Sequence, residues 1–309
     1  MASELLTETF EEHRPLLTGV AYRMLGRFAD AEDVVQDAWL RWSAADRGDV
    51  REPRAYLVRV ATRLALDRLR QLSARRETYV GPWLPEPVAT GGAALVAGAT
   101  DTAPAAPDVA ERAVLTDTVS FAVLVVLESL SPAERAVFVL REAFGFPYEE
   151  IAAALERSEP AVRQLASRAR KHVAERRPRY DTDPVEARAV TERFLAAASG
   201  GDLNGLLCLL APDARLVGDS GGKSKAPLRI IEGGDKVARF LAAVGTDQLP
   251  DMEVRIVEAN GAPTVLVLSA GAPDLVLQLG LVEGRVACVY LVRNPDKLGG
   301  MTDSAAHRL

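Results

Sequence analysis

The spacing of apolar and polar positions changes along the chain, and the predicted structure changes with it. From Phe10 to Trp42 apolar residues recur every three or four positions: Leu16, Leu17, Val20, Ala21, Met24 and Leu25, then Ala31, Val34, Val35, Ala38 and Trp39. That period predicts two or three amphipathic helices. Pro53-Arg54-Ala55-Tyr56-Leu57 opens another, running to about Leu72. Ser131-Pro132-Ala133-Glu134 is a strong helix start, with a serine cap, a proline at the first helical position and a glutamate three residues on to complete a capping box. Ala136, Val137, Val139 and Leu140 give that helix a buried face, and Gly145-Phe146-Pro147 ends it. Tyr148 to Leu155 then predicts a short helix with small residues on one side, Glu156-Arg157-Ser158 a turn, and Glu159 to Glu175 a second helix buried through Val162, Leu165, Ala166, Ala169 and Val173. A short helix with a small-residue face, joined by so brief a turn to a second helix, predicts a helix-turn-helix.

After about residue 180 the period changes. Helices are predicted over Pro184 to Ala198, Leu203 to Leu210 and Asp235 to Val244. Four strand-like runs follow, Met252–Ala259, Thr264–Ala270, Leu275–Val282 and Val286–Arg293, with turn signals at Asn260-Gly261, Gly271-Ala272-Pro273 and Glu283-Gly284. Helices followed by an antiparallel meander predict an α+β domain, a curved sheet wrapped on helices as a cone with an internal pocket. The expected architecture is therefore multidomain: two all-α helical modules, the second with the helix-turn-helix, and a C-terminal α+β cone. Its expected boundaries are 1–76, a flexible acidic linker at 77–110, 111–179, 183–298 and a tail at 299–309.

Charge sharpens this division. The whole chain of 309 residues carries a net charge of −6, which argues against nonspecific nucleic-acid binding by the molecule as a whole. Yet residues 51–76 hold eight arginines against Glu52 and Asp67, and residues 156–179 hold eight bases against three glutamates. Between them, residues 77–110 contain no base at all and are rich in Gly, Pro, Ala and Thr. Two basic helical segments separated by an acidic tether suggest two DNA contacts made by one protein.

On the second helix of the helix-turn-helix, Arg163, Gln164, Ser167 and Arg168 are side chains that reach base edges in a major groove, while Arg170, Lys171, Arg176 and Arg177 suit phosphates. In the first module Arg59, Arg63 and Arg70 share a helix face near Tyr56 and Trp42, an arrangement that suits unpaired DNA, although both aromatics also fit a core. Asp30, Glu32, Asp33, Gln36 and Asp37 lie opposite an apolar face, either as a solvated surface or as a docking surface for a basic protein.

Other classes recede. No run approaches the roughly 18 apolar residues of a membrane span, and Glu4, Glu8, Glu11 and Glu12 stand where a signal peptide would be basic, so the chain is expected to be cytoplasmic. Cys208 and Cys288 are too few for a disulfide framework and read as two buried thiols; no metal site and no cofactor are expected. None of His13, His172 and His307 falls in the cone, so a general base there would have to be Asp202, Asp213, Asp219 or Asp274, with Tyr290 or Tyr180 as acid. No spacing requires those groups to converge, and the chain is read as not an enzyme.

Asp30-Ala31-Glu32-Asp33-Val34-Val35-Gln36-Asp37-Ala38-Trp39-Leu40-Arg41-Trp42 with Arg54-Ala55-Tyr56-Leu57-Val58-Arg59-Val60-Ala61 resembles region two of extracytoplasmic-function sigma factors. Leu130 to Arg135 and Ser158 to Leu165 are similar to their region four, and the likeness covers roughly residues 5–178. The resemblance implies that the first module binds core RNA polymerase and helps open the −10 element of a promoter, and that the second reads the −35 element as duplex. It places Arg51, Arg54, Tyr56, Arg59 and Arg63 at the unwound −10 strand, and the acidic tether in polymerase's basic nucleic-acid channel. Trp83-Leu84-Pro85-Glu86-Pro87 and Asn294-Pro295-Asp296-Lys297-Leu298 resemble the subgroup with a C-terminal SnoaL-like domain. That subgroup's Asp-Gly-Gly-Gly-Lys-type loop reads here Asp219-Ser220-Gly221-Gly222-Lys223, with serine for one glycine.

The implied function is a promoter-specific sigma subunit controlled in cis by its own C-terminal domain. Trp83, Leu84, Pro85, Asp219, Gly221, Gly222, Lys223, Asn294, Pro295, Asp296 and Lys297 are the expected interdomain residues. Read by itself, the Asp219–Lys223 loop is equally a docking loop or a solvated hairpin. A small ligand in the cone stays open, as does the competing reading of a DNA-binding regulator whose cone binds or converts a small molecule.

Overall fold

The helical period of the N-terminal third folds as three helices: α1 (Ala2–Leu25), α2 (Phe28–Ala44) and α3 (Pro53–Arg76). The computed structural model describes residues 2–44, 50, 52–76, 79–90, 120–176, 183–245 and 251–301. The three helices bury the predicted stripe, among it Leu17, Val20, Met24, Val34, Val35, Ala38 and Trp42. Trp42 is core: its indole Nε1 donates to the Leu6 carbonyl at 3.1 Å. A short helix the pattern did not announce, α4 (Phe121–Leu127), precedes α5 (Pro132–Phe138). The capping box at Ser131 and Glu134 forms as predicted. Beyond α5 the chain makes one π-helical turn over Val139–Ala143, then Gly145 takes φ 69° and turns it into α6 (Tyr148–Leu155). Glu156 adopts the left-handed conformation (φ 53°), and α7 (Glu159–Arg176) follows, with Val162, Leu165, Ala166, Ala169 and Val173 buried. These helices, with α1 to α3, form one compact unit.

The second unit contains residues 78–106 and 177–309. Its helices α8 (Pro184–Ser199), α9 (Leu203–Leu209) and α10 (Gly234–Val244) pack on a six-stranded sheet of order β2-β1-β6-β5-β4-β3. The strands are β1 (Leu210–Asp219), β2 (Ile231–Glu232), β3 (Met252–Ala259), β4 (Ala262–Ser269), β5 (Ala272–Val282) and β6 (Arg285–Val292). The last four make the predicted meander. Its Asn260-Gly261 turn has both central residues at positive φ (49° and 70°), as a tight hairpin requires. To the meander the sheet adds a strand not predicted from the sequence, β1, ten residues long and paired parallel to β6. Pro212, Asp213 and Gly218 interrupt its alternation, which conceals it in the sequence. Val190, Phe194, Leu206, Leu216, Leu241 and Val289, among others, form the buried core of this unit.

No helix among the described residues is long and apolar enough to cross a membrane. Cys288 is buried, which pushes its thiol up to about 11, whereas Cys208 is exposed, against the expectation of two buried thiols.

Candidate nucleic-acid interface and tether clasp

Helix α7 separates its two faces completely. Val162, Leu165, Ala166, Ala169 and Val173 point into the core, and Arg163, Gln164, Ser167, Arg168, Arg170 and Lys171 are all exposed. The small residues Ala152 and Ala154 of α6 are buried, beside Ile151. Arg163 already has an ordered environment: Nε and Nη2 donate to Glu159 Oε1 at 3.1 and 2.5 Å, and its guanidinium lies 4.6 Å from the Tyr148 ring centroid. The side chain of Arg176, with Arg177, lies outside the described residues.

On α2, Glu32, Asp33, Gln36 and Asp37 are exposed beside Leu40, an apolar side chain left 56% exposed. Asp30 is corrected. It is only 4% exposed, and its carboxylate accepts from Arg68 at 2.7 and 3.0 Å with Arg27 3.6 Å away. A carboxylate so engaged is part of the helix packing and not of an outer docking surface. The period-based assignment missed this because Asp30 stands in the first turn of α2, where the chain re-enters the bundle.

The arginine face of α3 is also more engaged than its sequence suggests. Arg63 Nε and Nη2 donate to the carbonyls of Ala154 (3.1 Å) and Ala153 (3.2 Å) at the C-terminal end of α6, and Nη2 pairs with Glu156 at 2.9 Å. The last carbonyls of a helix lack intrahelical partners and carry its negative dipole end, so a guanidinium is a fitting cap. Arg54 lies 4.6 Å from the Phe146 ring centroid, and Arg59 5.6 Å from that of Tyr56, which packs in turn against Trp42 at 5.8 Å. Arg51 lies outside the described residues.

The structure brings the Trp83–Pro87, Asp219–Lys223 and Asn294–Leu298 motifs together inside the second unit. Asp219, at the end of β1, is fully buried and accepts four hydrogen bonds: from Tyr79 Oη (2.5 Å), Leu84 N (2.8 Å), Gly221 N (3.2 Å) and Lys297 Nζ (2.6 Å). Lys297, 1% exposed, also donates to the Leu84 carbonyl at 2.6 Å and lies 3.1 Å from the Trp83 ring centroid. Asn294 Nδ2 donates to Tyr79 Oη at 2.8 Å, and Lys223 pairs with Asp296. At Gly221 (φ 56°) a Cβ would come 2.5 Å from Asn294 Nδ2, so this loop position admits no larger residue without rearrangement.

The tether then runs along the end of β3. Ala89 bridges Ala259, the Val88 carbonyl accepts from Asn260 N at 2.9 Å while Val88 N donates to the Asn260 side-chain Oδ1 at 3.1 Å, and Thr90 N donates to the Glu258 carbonyl at 2.9 Å. The expectation of a flexible linker over 77–110 is corrected for residues 79–90, which are built into the cone. Residues 91–110 lie outside the described residues. Sequence reading named Trp83, Leu84, Asp219, Asn294 and Lys297 but missed Tyr79 and Asn260. A lone tyrosine before Val80-Gly81-Pro82 and an asparagine already explained by a hairpin carried no signal of their own.

Three of the four aspartates named as candidate general bases are otherwise engaged: Asp202 caps α9 through Gly205 N, Asp219 is in the clasp, and Asp274 pairs with Arg293 at 2.9 Å. Asp213 is exposed on β1.

The family description Sigma-70 region 2 matches residues 9–75, and Sigma-70, region 4 matches residues 120–173. The chain is 42% identical over 302 residues to the ECF RNA polymerase sigma factor SigJ of Mycobacterium tuberculosis, covering 94% of this chain and 92% of that one. It is 33% identical over 293 residues to the probable ECF RNA polymerase sigma factor SigI of the same species, covering 95% and 94%. The crystal structure of Mycobacterium tuberculosis SigJ superposes with a TM-score of 0.71 and 36% identity, covering 97% of this chain and 99% of that one.

Proposed function

This chain belongs to the extracytoplasmic-function RNA polymerase sigma factors, and on that premise we propose how its parts divide promoter recognition between them. The observation that carries the proposal is α7: one face is core, and the other exposes a row of arginine, glutamine, serine and lysine side chains on the second helix of a helix-turn-helix. Arg163, Gln164, Ser167 and Arg168 read the −35 duplex in the major groove, and Arg170 and Lys171 hold its phosphates. Glu32, Asp33, Gln36 and Asp37 dock on core RNA polymerase, with Leu40 as an apolar centre for that contact. Arg54, Tyr56, Arg59 and Arg63 take the unwound −10 strand.

Physical spacing adds a condition. The −10 and −35 elements are about 25 base pairs apart, roughly 85 Å along B-DNA at 3.4 Å per step. Arg63 is hydrogen-bonded to α6, the helix that packs directly on the −35 reader. Both elements cannot be engaged while that contact holds, so the two helical modules must part on a promoter, and Arg63 exchanges the end of α6 for DNA. The cone acts in cis through residues 79–90, the segment of tether that it holds between the two modules in the sequence.

The test is a charge reversal on the docking face. Asp33→Lys with Asp37→Lys in the full chain should abolish association with core polymerase while leaving the fold intact by circular dichroism. Undiminished association would remove α2 from the polymerase interface.

A further inference from the structure

Three arginines from separate parts of the helix-turn-helix meet at Tyr148, the first residue of α6. The Arg163 guanidinium lies 4.6 Å from its ring centroid and that of Arg141 4.7 Å, while Arg170 Nη2 donates to its hydroxyl at 3.2 Å. Arg141 is itself anchored, donating to the Phe146 carbonyl at 2.9 Å, and Arg170 has Glu142 at 3.7 Å. The ring is thus fixed by its place at the helix start and by Arg170, and it offers a π surface to the Arg163 guanidinium, which Glu159 holds from another side.

The contacts of Arg163 are also arranged by direction. Glu159 takes the Nε/Nη2 edge of the guanidinium, and Tyr148 meets the cation through its ring. Glu159 uses one N–H of Nη2 and that of Nε; the second N–H of Nη2 and the parallel one of Nη1 point along the other edge and match the O6/N7 pair of a guanine. Holding a guanidinium in place before binding reduces the ordering needed on the DNA.

We propose that Tyr148 is a positioning residue for −35 readout, a platform that presents the Nη1/Nη2 edge of Arg163 to one base pair. The proposal rests on the reading of Arg163 as a base-contacting side chain. A merely structural tyrosine would weaken binding to all sequences alike; a platform acts on discrimination at the base pair that Arg163 contacts.

The experiment uses full-length chain reconstituted with core polymerase and a promoter library randomised over both elements, comparing wild type, Arg163→Ala, Tyr148→Leu, Tyr148→Phe and Tyr148→Leu/Arg163→Ala. Thermal unfolding of each chain checks that it is folded. Arg163→Ala should flatten preference at one −35 base pair by about tenfold or more. Tyr148→Leu should flatten the same base pair by about three- to tenfold, the range of an exposed cation–π contact and its ordering effect. Tyr148→Phe, which keeps the ring, should retain the preference, and the double variant should discriminate no worse than Arg163→Ala alone. If Arg163→Ala flattens the preference and Tyr148→Leu leaves it intact, or lowers all sequences equally, the platform is overturned and the reader assignment stands. If Arg163→Ala changes no base preference, the reader assignment falls and the platform with it.

Discussion

Two charged contacts, one from α3 to the end of α6 and one from the cone to the tether, differ in depth. Arg63 grips the end of α6 through Ala153, Ala154 and Glu156 with side chains 40% and 75% exposed at the ion pair. Lys297 and Asp219 grip the tether with side chains 1% and 0% exposed. An exposed pair contributes about 0–1 kcal/mol and weakens with salt, so water and DNA phosphate can replace Glu156 at little cost. A buried pair has no such substitute, and removing one partner leaves a charge stranded in the interior. The difference fits the two tasks that the proposed function assigns: on that proposal the contact on α6 breaks at a promoter, while the clasp on the tether persists through it.

Breaking the deeper contact should give the largest effect. Lys297→Met leaves Asp219 buried without its cation and should destabilise the second unit by about 3–5 kcal/mol. Cys288 supplies the readout. Its thiol, raised to about 11 by burial, should resist disulfide reagents in the wild type while exposed Cys208 reacts, and should become reactive in the variant. Adding Asp219→Leu should recover only part of the loss, because Tyr79, Leu84 and Gly221 would still lose their acceptor. Full recovery would show that these hydrogen bonds contribute nothing.

The shallower contact predicts a smaller and mixed effect. Glu156→Gly removes the ion pair to Arg63 but relieves a left-handed non-glycine residue, a strain of about 1–2 kcal/mol. Thermal stability should change by no more than about 1 kcal/mol, yet fluorescence transfer between labels on α2 and α7 should report separation of the modules at lower salt than in the wild type. An unchanged salt midpoint would mean that Glu156 does not hold the modules together.

The smallest effect is at the cap of α5, which reports on the fold without touching either contact. Glu134 is held below its ordinary 4.5 mainly by the Ser131 hydroxyl, so its contribution is fully present above that value. It should be lost as pH falls through the lower folded value. Ser131→Ala should flatten this acid limb of the unfolding curve and cost about 1 kcal/mol at neutral pH.

Much of the first unit could be read directly from the chain, because helix periodicity, the Ser131 capping box and the buried set of α7 are local signals. The engagement of Arg63 could not be read, since its partners are backbone carbonyls 90 and 91 residues away and no side-chain pattern announces them. Asp30 was misplaced for the same reason: its partner Arg68 is 38 residues distant. In the cone, the meander and its turns were visible, whereas β1 was hidden because it pairs in parallel with the last strand and breaks alternation at Pro212 and Gly218. The clasp lay between these cases. Its motif residues were named in three separate segments, but only the fold showed that one buried aspartate joins them, and that the tether's first half belongs to the cone.

Transcription in vitro from a randomised promoter library, by core polymerase reconstituted with full-length wild type or Lys297→Met, tests the account most directly. The account predicts promoter-dependent transcripts with the wild type, and a different yield with Lys297→Met at equal, saturating amounts of holoenzyme, because the tether is no longer held. No promoter-dependent transcripts from either chain would contradict the sigma function. Equal yields from both, with amide exchange showing residues 79–90 released in the variant, would contradict control through the clasp.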